Sequence, residues 1–132
     1  MNNYPLGDFL IRIKNGGAVD KKTVVVPWSK KLEEIAKILV DSSLLKRFDV
    51  SKEKAAKKEI IAELAYHGAG KPLFKEIKFF SKPGRRYYVG YKDLPYTGRS
   101  NAIVIVSTSQ GLMTARKARK KNLGGEVIAE IY

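Results

Sequence analysis

The sequence of 132 residues contains no cysteine and a single histidine, His67. Disulfides and thiolate metal sites are therefore excluded, and a transition-metal centre has too few soft ligands to form. The lack of cysteine fits a cytoplasmic protein. Acidic residues are also scarce, with 13 Asp and Glu against 26 Lys and Arg, for a net charge of +13. No apolar run approaches the roughly 18 residues that a membrane span requires, and the basic residues do not lie opposite an aromatic-rich face on one long helix, so no membrane partner is expected. The start, Met1-Asn2-Asn3-Tyr4-Pro5, has no basic stretch followed by an apolar one, and no signal peptide is expected. Neither a phosphate-binding loop ending in Gly-Lys-Ser/Thr nor a Gly-x-Gly-x-x-Gly fingerprint occurs. His67 sits in a glycine-rich turn, and Glu126 and Glu130 lack an evident acid–base partner. No catalytic residue, cofactor or metal ligand is assigned, and the chain is read as a non-enzyme.

Hydrophobic residues make up 44% of the chain, enough for a core and too many for disorder. The positive charge is uneven. Residues 1–68 hold 13 basic and 9 acidic residues, a net of +4, whereas residues 69–132 hold 13 basic and 4 acidic residues, a net of +9. Such an excess repels itself unless a polyanion neutralises it. A lysine-rich solvated surface would also account for the charge, but nucleic acid is the commonest polyanionic partner, bound with release of counterions.

Hydrophobic periodicity gives an α+β reading: two small α/β subdomains, the N-terminal one α-β-α-β-β, the C-terminal one mostly β with one short helix. Leu6, Phe9, Leu10 and Ile13 are spaced for a helix over residues 5–15, with Pro5 in its first turn and Gly16-Gly17 ending it. Thr23-Val24-Val25-Val26 reads as a strand stopped by Pro27. Ser29 caps a second helix whose stripe is Leu32, Ile35, Ala36, Leu39 and Val40. Residues 45–50 and 58–66 read as a strand pair turned through lysine-rich residues 51–57. The segment His67-Gly68-Ala69-Gly70-Lys71-Pro72 marks a boundary, placing an N-terminal subdomain over 1–68 and a C-terminal one over 69–132. Short strands around 74–80 and 86–91 are joined at Pro83-Gly84, where proline presets φ and glycine accepts φ > 0. Residues 102–106 form an apolar central strand, 114–122 a short helix, and 126–132 a final strand closing the sheet.

The chemistry concentrates in the second half. Ser107-Thr108-Ser109-Gln110-Gly111-Leu112-Met113-Thr114 puts three hydroxyls at the end of the central strand, where α/β folds place ligands. Hydroxyls donate and accept, which suits phosphates, 2′-hydroxyls and base edges, and Gly111 removes a side chain where a ligand approaches. An ordinary polar turn capping the next helix is the alternative. Thr114 is a sensible N-cap, yet Arg116 and Lys117 follow it, and Lys30 and Lys31 open the second helix. Cations are disfavoured at helix N-termini unless phosphate docks there. Arg116, Arg119 and Lys120 share one face with no acid for pairing. In Arg85-Arg86-Tyr87-Tyr88-Val89-Gly90-Tyr91, arginines suit phosphate and aromatic rings suit unpaired bases. Tyr87, Val89 and Tyr91 face one way, leaving Tyr88 as the better ligand candidate.

Ser107-Thr108-Ser109-Gln110-Gly111-Leu112-Met113-Thr114, then Ala118-Arg119, then Gly124-Gly125-Glu126-Val127 and a final aromatic resemble the C-terminal signature of the bacterial small-subunit ribosomal protein S-eight family. Ser81-Lys82-Pro83-Gly84-Arg85-Arg86, Asp8 to Gly16 and Pro27-Trp28-Ser29-Lys30 are similar to that family too, so the likeness covers essentially the whole chain. It implies two α/β subdomains and no catalysis. It also implies a primary RNA-binding protein on the central domain of 16S rRNA, which organises the platform and touches neighbouring small-subunit proteins. By motif, Ser107, Thr108 and Ser109 would meet an irregular rRNA helix, with Gly111, Met113 and Thr114 in the same signature. Glu126 and the tyrosine after Arg86 would support that site, and Lys14, Lys30 and Lys31 would hold phosphates. Ala115 and Lys117 stand where the family usually has acids, so a reciprocal capping box is missing. Arg99-Ser100-Asn101 replaces a common Gly-Leu-Gly.

Two other readings stay open. A translational repressor bound to its own operon mRNA, as in several bacterial members, would use the same surface. An enzyme acting on a phosphorylated small molecule would use the hydroxyl loop as its anion site, but lacks a nucleophile–base pair. Off the ribosome the chain is expected to be a monomer.

Overall fold

The computed structural model describes residues 4–54, 57–68, 70–98 and 102–132, with no side chains described for 52–54 and 57. The turn expected at 51–57 lies partly outside the described residues, as do Ala69 and Arg99-Ser100-Asn101. The fold class is α+β, and Cα proximity divides the chain into two units, residues 2–75 and 76–132. The break expected after Gly68 falls inside the first unit. There the chain folds back on itself: the Leu73 N–H donates to the Ala65 carbonyl at 2.9 Å and Tyr66 bridges Pro72.

The first unit follows the expected order: α1 (Pro5–Ala18), β1 (Thr23–Pro27), α2 (Lys30–Asp41), β2 (Leu45–Lys54) and β3 (Lys57–Leu64). The strands form an antiparallel sheet in the order β1-β3-β2. Buried Leu6, Phe9, Leu10 and Ile13 of α1, with Leu32, Ile35, Ala36 and Leu39 of α2, supply the apolar stripes the spacing requires. Val24, Val26, Leu45, Ile60, Ala62 and Leu64 are buried apolar residues of the strands. As expected, Ser29 caps α2, its Oγ accepting from the Leu32 N–H at 3.2 Å.

Gly16 and Gly17 do not end α1; they lie buried within it. A Cβ at Gly16 would come 3.1 Å from Val24 Cγ2, and one at Gly17 would come 2.9 Å from Pro72 Cβ. The glycines serve close packing, and the helix stops two residues before Asp20, which takes φ 58°.

The second unit contains β4 (Ile77–Phe79), β5 (Tyr88–Val89), β6 (Ile103–Thr108), β7 (Gly111–Thr114), α3 (Ala115–Lys120) and β8 (Gly125–Ile131). Two expectations change. The final strand does not close the sheet: β8 is interior, pairing with β6 on one side and with both β4 and β5 on the other. Strand order in the chain biases pairing order without fixing it, so a closing position could not be deduced. The segment 107–114 is not a simple turn either. β6 runs through Ser107 and Thr108 and returns as β7. Gly111-Leu112-Met113-Thr114 is too short for its alternation to stand out beside the hydroxyls. Leu94, Val104, Val106, Met113, Ala115, Ala118 and Val127 form the core under α3. No described helix is long and apolar enough to cross a membrane.

Two glutamates tie the first unit together electrostatically. The Trp28 indole N–H donates to Glu33 Oε1 at 2.6 Å, and Lys58 Nζ lies 4.1 Å from the Trp28 ring centroid. Glu63 receives Arg47 Nε at 2.7 Å and Lys46 Nζ at 3.3 Å. The Trp28 hydrogen bond, helped by Lys37 and Lys58, holds the Glu33 carboxyl below the usual carboxylate range; Arg47, then Lys46, does the same for Glu63. A carboxyl that is more acidic when folded stabilises above its unfolded pKa and loses that contribution as pH falls through the folded value. Urea unfolding should therefore show stability declining as pH drops below about 4. The Glu33→Gln, Glu63→Gln double variant should be less stable at neutral pH and show a flatter profile across that acid window.

Candidate nucleic-acid interface

The sheet of the second unit has one face under α3 and one that opens at its end. Val106 pairs with both Met113 and Val127, all three buried in the α3 core. The neighbouring register therefore points the other way. Ser107 is opposite Leu112 on β7 and opposite Glu126 on β8, and Glu126 is opposite Tyr88 on β5. Leu112, Ser107, Glu126 and Tyr88 thus form one row across four strands, with directly opposed side chains about 5 Å apart. On the same face, Ile105 and Ala129 are fully buried, whereas Tyr88 is 67% exposed. The row marks where this face becomes accessible.

Glu126 at its centre is not a bare charge. Arg86 Nη1 donates to Glu126 Oε2 at 3.3 Å. The arginine comes from the turn at Pro83-Gly84, which closes with Lys82 and Arg85 exchanging backbone hydrogen bonds of 2.9 Å each way, Gly84 at φ 81°. Lys82, Arg85 and Arg86 are all exposed, so a cationic turn borders the row on the Tyr88 side. β4 and β5, the two strands joined through this turn, lie end to end along β8.

The hydroxyls divide their work. Thr108 Oγ1 accepts from the Gln110 N–H at 3.1 Å and donates to the Gly111 carbonyl at 2.9 Å. It shapes the hairpin, which needs Gly111 at φ 104°, rather than offering itself to a ligand. Ser109 is exposed at the tip, and Ser107 is half-buried in the row. Met113 is buried in the core and acts through packing. Thr114 caps α3, its Oγ1 accepting from the Lys117 N–H at 3.3 Å.

Arg116 is exposed on α3, which packs Ala115 and Ala118 against the opposite face, so it does not join the row. Arg116, Lys117, Lys120 and Lys121 have no ion-pair partner among the described residues. Arg119 donates to the Pro95 carbonyl at 3.1 Å and sits 4.0 Å from the exposed Tyr96 ring centroid. Lys14, on α1, and Lys30 and Lys31, in the first turn of α2, belong to the first unit.

Sequence reasoning assigned no structural role to three residues on which the row depends. Ser81 is fully buried; its Oγ accepts from the Tyr87 N–H at 3.0 Å and donates to the Val127 carbonyl at 2.7 Å, latching the cationic turn onto β8. A lone serine ahead of a turn gives no periodic signal. Gly124 and Gly125 permit the close approach of three strands. A Cβ at Gly124 would lie 2.5 Å from the Val89 carbonyl oxygen, and one at Gly125 would collide with the Ser107 carbonyl oxygen. The Gly-Gly pair was legible, but its partners were not. Ser81→Ala should cost about 1–3 kcal/mol, because it orphans a part-buried donor and a buried acceptor. Gly125→Ala should cost about 3 kcal/mol or more through overpacking against backbone. Urea unfolding reads both.

The model of the family "Ribosomal protein S8" matches residues 4–132. The chain is 42% identical over 127 residues to the small ribosomal subunit protein uS8 of Cupriavidus metallidurans, covering 96% of this chain and 95% of that one. It is 44% identical over 124 residues to uS8 of Thiobacillus denitrificans, covering 94% and 93% of the two. It is 37% identical over 130 residues to uS8 of Ruegeria pomeroyi, covering 98% and 99%. From one end of the described structure to the other, the chain belongs to the ribosomal protein S8 family.

Proposed function

We propose that this chain is a structural constituent of the small ribosomal subunit. In this reading it binds the central domain of 16S rRNA early, helps assemble the platform and then contacts neighbouring small-subunit proteins. The family is a structural, non-enzymatic component of the ribosome. That role places the chain in the cytoplasm.

The observation that carries the RNA reading is the row Leu112–Ser107–Glu126–Tyr88, bordered by the Lys82-Arg85-Arg86 turn and by the Ser109 tip. Each part has a separate task. The lysines and arginines position phosphates and carry no sequence information. Tyr88 offers a ring on which an unpaired base stacks. Ser107 and Ser109 donate to or accept from base edges and 2′-hydroxyls. Glu126 repels phosphate and accepts only from donors, so it disfavours generic polyanion and rewards an RNA fold that presents amino or hydroxyl groups there. Because Arg86 half-neutralises it, that selectivity does not cost the overall attraction. An operon mRNA that copies the same RNA fold would occupy the same surface.

Filter binding with an irregular small-subunit rRNA helix and a random-sequence RNA of equal length tests this division. Ser109→Ala should weaken the cognate helix selectively. Lys30→Ala should weaken both RNAs alike and lower the salt slope by about 1. If the serine change weakened both equally, the assigned roles would be wrong. If the protein showed no preference between the RNAs at moderate salt, the reading as a whole would fail.

A further inference from the structure

In the first unit, β1 is an edge strand of its sheet. Its ladder fixes which backbone groups point outward. The Leu64 N–H donates to the Lys22 carbonyl at 2.9 Å, and the Trp28 N–H donates to the Lys58 carbonyl at 3.0 Å. Even-numbered residues therefore turn their backbone groups toward β3. By the alternation of an antiparallel pair, Thr23 and Val25 turn theirs to the open side. Arg12 Nη1 donates to the Val25 carbonyl at 3.2 Å, which places that oxygen on the open edge independently.

A groove of about 630 Å³ runs along this edge, bounded by the C-terminal half of α1 and by β1. Val19, 67% exposed, and Val25, 41% exposed, give it apolar surface; Arg12 and Lys21 are its charged residues, and no acid lines it. An exposed strand edge is normally guarded, and among the described residues the guards here are Pro27, which ends the strand, and the Arg12 and Lys21 side chains.

We propose that this groove takes a short extended segment of another protein, acidic and rich in β-branched residues, which pairs with Thr23 and Val25 as an added strand. Main-chain pairing would supply affinity, valine contacts would fill the groove, and carboxylates would meet Arg12 and Lys21. Nucleic acid fits less well. Phosphates have no use for a valine-lined wall. The site lies in a different unit from the row on β5–β8, and peptide binding at Thr23 and Val25 is read out separately from binding of the rRNA helix.

Because strand addition is carried by backbone, a designed peptide is a sufficient probe. The full-length protein, labelled with ¹⁵N, is titrated with a capped peptide alternating glutamate and valine, then with the same peptide N-methylated at alternate residues. The unmethylated peptide should shift and protect the Thr23 and Val25 amides, and the methylated one should bind at least about tenfold more weakly. Val25→Pro removes an outward N–H without touching the β1–β3 ladder and should weaken binding about tenfold. The surface change Lys21→Glu should weaken the acidic peptide and favour a lysine–valine one. Binding of the rRNA helix should be unchanged in Val25→Pro. Absence of shifts at Thr23 and Val25, or indifference to N-methylation, would overturn the proposal. Displacement of the peptide from those amides by a short random RNA would also overturn it, in favour of nucleic acid.

Discussion

The contact between Gly125 and the Ser107 carbonyl sets the geometry of the second unit. With no Cβ at 125, the start of β8 lies directly against the end of β6. Gly124 allows the same closeness to Val89 and Gly90. These approaches bring β5, β8, β6 and β7 into register, and only that register aligns Tyr88, Glu126, Ser107 and Leu112 on one accessible face. The buried Ser81 hydroxyl locks the cationic turn to the same strand. The candidate interface is therefore preorganised by backbone proximity and one side-chain latch, not by flexible side chains searching for a ligand. Preorganisation of this kind lowers the ordering cost of binding.

In the proposed reading, affinity and selectivity are carried by different residues. The cations of α3 and of the 82–86 turn attract any polyanion, and α3 holds its charges on the face away from the row. Selectivity must come from uncharged or acidic groups, because a phosphate backbone looks the same on every RNA. Ser107, Ser109, Tyr88 and the Arg86-held Glu126 meet that requirement. In this sense the one acidic residue of the row tells more about function than the cations around it.

Much of this was legible in the residues. The stripe of α2, its Ser29 cap, the Thr114 cap and the outward direction of Tyr88 all follow from period and local hydrogen bonding, and they hold. The Pro83-Gly84 turn holds for the same reason. What was not legible depends on partners distant in sequence. Gly16 and Gly17 read as a helix stop because their packing against Val24 and Pro72 is invisible locally. β8 read as a closing strand because chain order does not fix pairing order. Three consecutive hydroxyls looked equivalent, yet the hairpin assigns the Thr108 hydroxyl to its own turn and leaves Ser109 outside. Family resemblance pointed to this segment; the fold separates the residues that build its hairpin from those that face outward.

The most direct measurement is hydroxyl-radical footprinting of full-length small-subunit rRNA by the purified protein at moderate salt. The account predicts one compact protected region in the central domain, at an irregular helix, present at protein concentrations that leave the rest of the RNA untouched. Protection spread evenly along the RNA, and vanishing as a whole when salt is raised, would contradict it.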